Sequence, residues 1–507
     1  MNFRHLSPKN ASLTAASLTA ATLTKAMLVF VLCLLPGMAV WAAETASDGE
    51  AAETDGVSEL QDPSGFLYGV VETRNGSFEG ILRWERGDMF WDDHLSSTKE
   101  DRPFLRHLPR EALMKTSETT FLGRTLTRNR YREESRGFLA RYRDIDRIEV
   151  HSRNWWTAVM RDGAEIDLSG GADLRRKLRV LHSDGEETRL DPMKILRIRF
   201  KPVPEDFSVN LRRMYGTLET TYGTFEGFIL WDGEECVSTD TIDGDVAGDG
   251  PGAGEEMNIP FGDIQSIEKI DRRSSRLTLK DGRVVELKGS NDVDRRVRGI
   301  FVLDRDWSWL RFDWRAFQKL ELQDYETSGE GYAATIGGRL SGAVHLEDGT
   351  VHRGLWVFDA DEAYVWESLD GTRTVPGLPE AAEDSAATEG ENAEEEVSEE
   401  KVDPRSTVGT MEFSIPMGRI ATIERLSDEA SRITHVNGNS VDLELSTDVS
   451  KGNEGLVIFG KGSEVLYVPW LQVSKLERGD SVGGDWVDGD GKDIDVESGD
   501  TEGSTSD

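Results

Sequence analysis

Cysteine is almost missing: among 507 residues only Cys33 and Cys236 carry thiols. Cys33 sits in an apolar leader, so a processed chain keeps Cys236 alone and has no internal disulfide framework. Stapled mini-domains are thereby excluded, and stability has to come from packed cores. Long apolar runs are missing too, apart from the leader, so no second stretch is long enough to span a bilayer. Positive charge is scarce. Without Arg4, Lys9 and Lys25 of the leader, 56 Lys and Arg of the 59 face 95 Asp and Glu, a net of about −39. That balance opposes non-specific contact with nucleic acid and with anionic lipid. Catalytic signatures are absent as well. There is no Gly-x-Ser-x-Gly elbow, no phosphate loop, and no His-x-x-x-His beside a Glu. No cofactor, no metal and no enzymatic activity are expected.

Residues 1–43 read as an export signal. The start is basic, no acid precedes Glu44, and the apolar run Ala26 to Leu35 meets Pro36-Gly37. Val40-Trp41-Ala42 then offers small residues at the minus-three and minus-one places of a cleavage site. The chain is therefore expected in a periplasm or outside the cell, without an integral span once cleaved. An uncleaved signal tethering it to the inner membrane is the alternative.

What the sequence does hold is self-similarity. Tyr68-Gly-Val-Val-Glu-Thr-Arg-Asn-Gly-Ser-Phe-Glu-Gly80 returns as Tyr215-Gly-Thr-Leu-Glu-Thr-Thr-Tyr-Gly-Thr-Phe-Glu-Gly227, and more loosely as Ser341 to Gly354. Each copy opens with a hairpin pattern of alternating apolar residues around a turn with Gly. A strand and tight turn follow, Ile259-Pro-Phe-Gly-Asp-Ile264 in copy two and Ile415-Pro-Met-Gly-Arg-Ile420 in copy three. A second half repeats this grammar around Asp-Gly or Asn-Gly, as in Arg276-Leu-Thr-Leu-Lys-Asp-Gly-Arg-Val-Val-Glu-Leu287. Six related units in three pairs result. A unit of this size buries too little surface alone and leaves open strand edges, so pairing is expected. The predicted order is a disordered linker over 44–61 and β repeats over 62–205, 211–325 and 333–478. A disordered acidic tail is predicted over 479–507. Insertions at one place interrupt the repeats: 96–140, rich in Arg; 240–256, acidic; and 372–410, acidic, low in complexity and predicted disordered.

The stretch Leu346-Glu-Asp-Gly-Thr-Val-His-Arg-Gly-Leu-Trp-Val-Phe-Asp359 resembles the first motif of Sm-like proteins. The strand, tight turn and Ile-x-x-Ile ending are similar to the last strands of Sm-like and SH3-like small barrels. The resemblance implies an all-β chain whose repeats are each a pair of small SH3-like antiparallel barrel units. The family's RNA site does not carry over. Ala363 and Cys236 stand where the family has Asn, and Phe261-Gly262 and Met417-Gly418 where it has Arg-Gly.

Four groups of residues are candidates for special roles. Gly80, Gly227 and Gly354 recur at one strand position. Asp173, Asp292 and Asp448 recur at a strand exit, where an Asp bonding its own turn is the ordinary reading and a catalytic carboxylate the sharper one. Trp84, Trp231 and Trp356 sit at matched strand ends, as core or as a sugar-stacking platform. The Arg-rich insertion, with Arg124, Arg128, Arg130, Arg132 and Arg136, is a candidate binding surface, its charges otherwise meeting the chain's own acids. Asp485 to Asp495 resembles a calcium loop but lacks the acidic ligand at position twelve. The expected function is a non-enzymatic envelope scaffold that binds a protein or an envelope polymer through its insertion faces. A polyanion or glycan binder is the alternative, and a hydrolase a further one.

Overall fold

The computed structural model describes residues 61–84, 87–100, 103–110, 115–121, 124–131, 136–169, 173–248, 252–332, 337–374, 409–460 and 464–479, with the short pairs 486–487 and 493–494. The predicted signal, nearly all of the 44–61 linker, residues 375–408 of the third insertion and most of the tail with its calcium-like loop lie outside the described residues. Residues 59–507 form one compact unit.

Alternating apolar residues bounded by Gly build strands, and the protein is all-β with large antiparallel sheets. Among the described residues the only helical pieces are 3-10 turns of three to five residues, and no helix is long and apolar enough to cross a membrane. The first set of strands is β1 (Tyr68–Thr73), β2 (Gly76–Trp84), β3 (His94–Lys99), β4 (Lys115–Phe121), β5 (Arg124–Tyr131), β6 (Arg136–Arg141), β7 (Ile145–Ser152), β8 (Trp155–Met160), β9 (Glu165–Leu168), β10 (Leu178–Leu181), β11 (Glu187–Leu190) and β12 (Ile195–Phe200). The second is β13 (Tyr215–Thr220), β14 (Gly223–Trp231), β15 (Thr241–Val246), β16 (Glu256–Pro260), β17 (Ile264–Lys269), β18 (Ser274–Leu279), β19 (Val284–Lys288), β20 (Ile300–Asp304), β21 (Ser308–Phe312) and β22 (Phe317–Gln323). The third is β23 (Ser341–Leu346), β24 (Val351–Val357), β25 (Ser368–Thr374), β26 (Thr410–Pro416), β27 (Ile420–Arg425), β28 (Ala430–His435), β29 (Ser440–Glu444), β30 (Leu456–Phe459), β31 (Val465–Val468) and β32 (Val473–Arg478).

The first set pairs in the order β11-β10-β2-β1-β12-β7-β8-β9-β3-β6, with β4 and β5 a separate hairpin. The second pairs β21-β20-β14-β13-β22-β17-β18-β19-β15-β16. The third pairs β31-β30-β24-β23-β32-β27-β28-β29-β25-β26. One pairing order thus appears three times. In addition β21 pairs with β26, which joins the second and third sets into a single ladder. Among the described residues no pairing closes a barrel.

Within a set the two halves do not stand apart. In the second set, β13 and β14 belong to the first half but pair with β22 and β20 of the second. Likewise β18 and β19 pair with β17 and β15. Each half lends two strands to the other, so the two share one ladder. The predicted insertions also change shape. Thr241–Val246, assigned to the second insertion, is strand β15, and β3 and β25 hold the same place in the other sets. The insertions therefore leave from the tips of the hairpins β3–β6, β15–β16 and β25–β26.

Glycine lets neighbouring strands approach closely. Gly80, Gly227 and Gly354 lie directly opposite Gly69, Gly216 and Gly342. A Cβ on Gly80, Gly227 or Gly354 would lie 2.2 Å from the carbonyl oxygen of Leu181, Leu303 or Phe459, on β10, β20 or β30. Only a residue without Cβ admits so close a backbone approach. The cores follow the ladders. One apolar cluster runs through the second and third sets, from Leu218 and Trp231 to Trp470 and Leu476. Another fills the first set and takes in Cys236, Val237 and Trp366 from the other two.

Candidate functional site

The chain crosses between halves through a loop after the second strand of each set, and the three loops share one construction. Trp84, Trp231 and Phe358 begin them, each with its N–H bonded to the carbonyl four residues on, at Asp88, Glu235 and Glu362. The match in the third set is thus Phe358 rather than Trp356, which lies two residues earlier in β24. All three aromatic rings are buried in the cores. Nine residues after each aromatic stands a carboxylate that closes its loop. Asp93 accepts from the N–H groups of Met89 and Phe90, both at 2.8 Å. Asp240 accepts from Cys236 and Val237, and Glu367 from Ala363 and Tyr364. A carboxylate holding two N–H groups fixes a turn that has no repeating backbone bonds of its own.

Those carboxylates also hold the three sets together, because each faces a cation from another part of the chain. Arg83 of β2 pairs with Asp240 at 2.8 Å. Lys99 of β3 lies 2.5 Å from Glu367 and 3.0 Å from Asp361. Arg213, just before β13, reaches Asp92 at 3.0 Å and Asp93 at 3.9 Å, with its side chain 1% exposed. Its guanidinium carbon lies 3.9 Å from the Phe90 ring centroid and 4.2 Å from that of Phe228. Arg213 is thus stacked on two rings and paired with two carboxylates at once. Burial raises Asp93 to about 6, opposed by Arg213 and by the two N–H groups it accepts from.

Between these contacts lies a cavity of about 550 Å³ to which all three sets contribute. Its apolar wall is made by Leu139, Leu230, Phe301, Trp309 and Phe413. Trp309 is fixed by its Nε1–H, which donates to the carbonyl of Asp92 at 3.0 Å. The polar side holds Asp93, His94, Asp370 and the ion pair of Arg311 with Glu412. Burial, with Arg141 nearby, pulls His94 down to about 3, so its imidazole is neutral at ordinary pH. Its Nε2 is buried and meets no hydrogen-bond partner among the described residues. The volume and the mix of an apolar wall with a few polar groups suit a small ligand or an inserted side chain. The strand pairs β3–β6 and β25–β26, whose far ends carry the first and third insertions, supply Ser96, Leu139, Asp370 and Phe413 to it.

The sequence candidates fall elsewhere. Asp292 and Asp448 occupy equivalent places, and each accepts from a backbone N–H far away in the chain, Asp243 at 3.0 Å and Asp370 at 2.7 Å. They tie the second crossing loop of a set to its third strand, a longer reach than the expected bond to their own turn. Asp173 opens the 3-10 turn Asp173–Arg175, and its side chain lies outside the described residues. So do the side chains of Arg124, Arg128, Arg130 and Arg136 and the whole of Arg132; the backbone of β5 pairs with β4. The described part of the first insertion is not a free face. Its turn Pro103–His107 packs Leu105, with Leu108, on Val357, Val457 and Phe459 of the third set.

Asp292 also has two carboxylate neighbours that went unseen in the sequence, Asp232 and Glu235, and the oxygens of the three lie within 4.8 Å of one another. Arg298 pairs with Asp232, and Asn291 donates to both Asp232 and Asp292. Burial first, then Asp292 and Asp232, raise Glu235 to about 9, and Asp292 rises to about 7, mainly by burial. A protonated Glu235 relieves the crowding of like charges without a cation. The third set repeats the trio as Asp359, Glu362 and Asp448, and Glu362 is pushed well above the usual carboxylate range by burial and by Asp361, Asp448 and Asp359. The signal that could have found them is the spacing: an aromatic, Asp, and Glu three residues later, in both loops.

No family model, no curated protein and no solved structure matches the chain.

Proposed function

We propose that the chain is an exported, non-enzymatic binding scaffold built of three tandem repeats, each an interlocked pair of SH3-like strand modules. The ligand, an apolar group of a protein or envelope polymer, enters the junction of the three repeats. One observation carries this reading: a cavity of about 550 Å³ draws its wall from all three strand sets, so no single repeat could form it. The leader supports export, and the strong negative charge supports a partner other than nucleic acid. Inside the cavity, where Arg311 balances Glu412, the neutral His94 and the acids Asp93 and Asp370 favour an uncharged or cationic donor group over an anion.

The test is a plug. Leu139→Trp places an indole in the cavity at a strand position that is only partly buried. Partner capture from the native envelope should fall to background while circular dichroism and the unfolding midpoint stay near those of the parent chain. Capture by the plugged chain at the parent level would contradict the reading.

A further inference from the structure

We propose that this chain assembles head-to-tail with further copies of itself, β11 of one molecule adding to β16 of the next. The chain carries its own precedent for that joint. Strand β21 meets β26 in antiparallel register, Trp309 opposite Ser414, Leu310 opposite Phe413, Arg311 opposite Glu412 and Phe312 opposite Met411. Arg311 and Glu412 form an ion pair across it. The joint links the fourth strand of one set's second half to the fourth strand of the next set's first half.

The first set presents the former edge again and the second set the latter. Leu178 of β10 lies opposite Trp84, as Ile300 of β20 lies opposite Trp231, which puts β11 in the place of β21. Thr241 of β15 lies opposite Pro260, as Ser368 of β25 lies opposite Pro416, which puts β16 in the place of β26. Among the described residues β11 pairs with β10 alone and β16 with β15 alone. Each therefore shows a row of backbone groups with no strand beside it, a ready template for another strand.

Carrying the internal register across sets Glu187 opposite Asn258, Thr188 opposite Met257 and Arg189 opposite Glu256. The cross-strand Arg–Glu pair is reproduced at the same place. Both residues are available: the Arg189 side chain is 65% exposed and, among the described residues, pairs with Glu187 of its own strand, and Glu256 is exposed. Pro260 does not block the joint, since its counterpart Pro416 ends β26 beyond the four paired residues. The two remaining edges lack the complement. Tyr467 of β31 takes the place of Arg311, and Gly137 of β6 that of Glu412. Charge thus selects β11 with β16. The two edges differ, so the contact is heterologous and propagates into rings or filaments rather than closing as a symmetric dimer.

The test uses the full chain and follows mass by sedimentation velocity across a dilution series at low salt. Arg189→Glu and Glu256→Arg should each weaken assembly about fivefold or more per joint, as like charges face each other across strands. The double variant Arg189→Glu with Glu256→Arg should regain the parent's assembly. Circular dichroism confirms that each exposed substitution leaves the fold intact. A parent chain that stays monomeric throughout, or single variants that assemble like the parent, would overturn the proposal. A mixture of Arg189→Cys and Glu256→Cys chains should form a mixed disulfide dimer on oxidation, and a mixture that does not would overturn the register. Cavity binding is read separately, so its failure leaves this outcome untouched.

Discussion

Lys99 is the most exacting place to perturb the junction. Its ammonium lies between Asp361 and Glu367, with the three side chains 9%, 5% and 5% exposed. Replacing it by Met keeps the length of the stem and removes the charge. Asp361 and Glu367 then remain buried without their cation, although Glu367 still accepts from Ala363 and Tyr364. Removing one partner of a buried pair costs about 3–5 kcal/mol, because the other charge is left uncompensated. Lys99 also opposes the rise of Glu362 and Glu367, so without it both carboxyls move further up. Protonation is their relief, and the cost of Lys99→Met should therefore shrink as pH falls from neutral toward the ordinary carboxylate range. Urea unfolding followed by tryptophan fluorescence, at neutral pH and at low pH, reads both quantities. Adding Glu367→Gln to Lys99→Met should recover part of the loss, a coupling that a double-mutant cycle isolates. A neutral-pH loss under about 1 kcal/mol, or a loss that does not change with pH, would refute the reasoning.

Two further perturbations address the close approach at glycine and the crowded carboxylates. Gly227→Ala should cost about 3 kcal/mol in unfolding free energy, because its Cβ would lie 2.2 Å from the Leu303 carbonyl oxygen. Gly137→Ala, which has no atom within 4 Å of the new Cβ, should stay within about 0.5 kcal/mol of the parent. For Glu235, whose pKa climbs on folding from 4.5 to about 9, the folded state binds the extra proton. Its contribution is fully present at low pH and is lost as pH rises through the folded value. Neighbouring Asp232, Asp292, Glu234 and Asp240 act in the same direction, and Arg298 acts against them by pairing with Asp232 and Glu234. Glu235→Gln should thus raise the thermal midpoint near pH 9 and leave it nearly unchanged near pH 5.

The hairpins were legible from residues alone, because Asp281-Gly282 between alternating apolar runs has one favoured turn. The glycine pairs were legible as recurrence but not as a reason, since the carbonyl that Gly80, Gly227 or Gly354 admits belongs to a strand 76 to 105 residues further along the chain. Strand β15 was not legible. Thr-Ile-Asp-Gly-Asp-Val is acidic and contains Gly, and it is the burial of Ile242 against the core that makes it a strand. The exchange between halves was hidden too, since local pattern sets which residues form strands and long-range packing sets which strands meet. Nothing in the sequence sets Lys99 and Arg213 apart from other charged residues. Only the fold reveals that carboxylates from other strand sets surround them. The recurring acid nine residues after Trp84, Trp231 and Phe358 was available in the sequence, and it marks the loops that hold the junction.

The exchange of strands between halves is tested most directly by disulfide trapping around β22. Thr217 of β13 and Ser266 of β17 both lie opposite Glu321, on its two sides. With Cys33 and Cys236 replaced by Ala, Thr217→Cys with Glu321→Cys should cross-link on mild oxidation. Thr217→Cys with Ser266→Cys should stay reduced, its positions separated by two strand spacings, about 10 Å. Cross-linking of the second pair and not of the first would mean that each half folds on itself, and the interlocked architecture would be wrong.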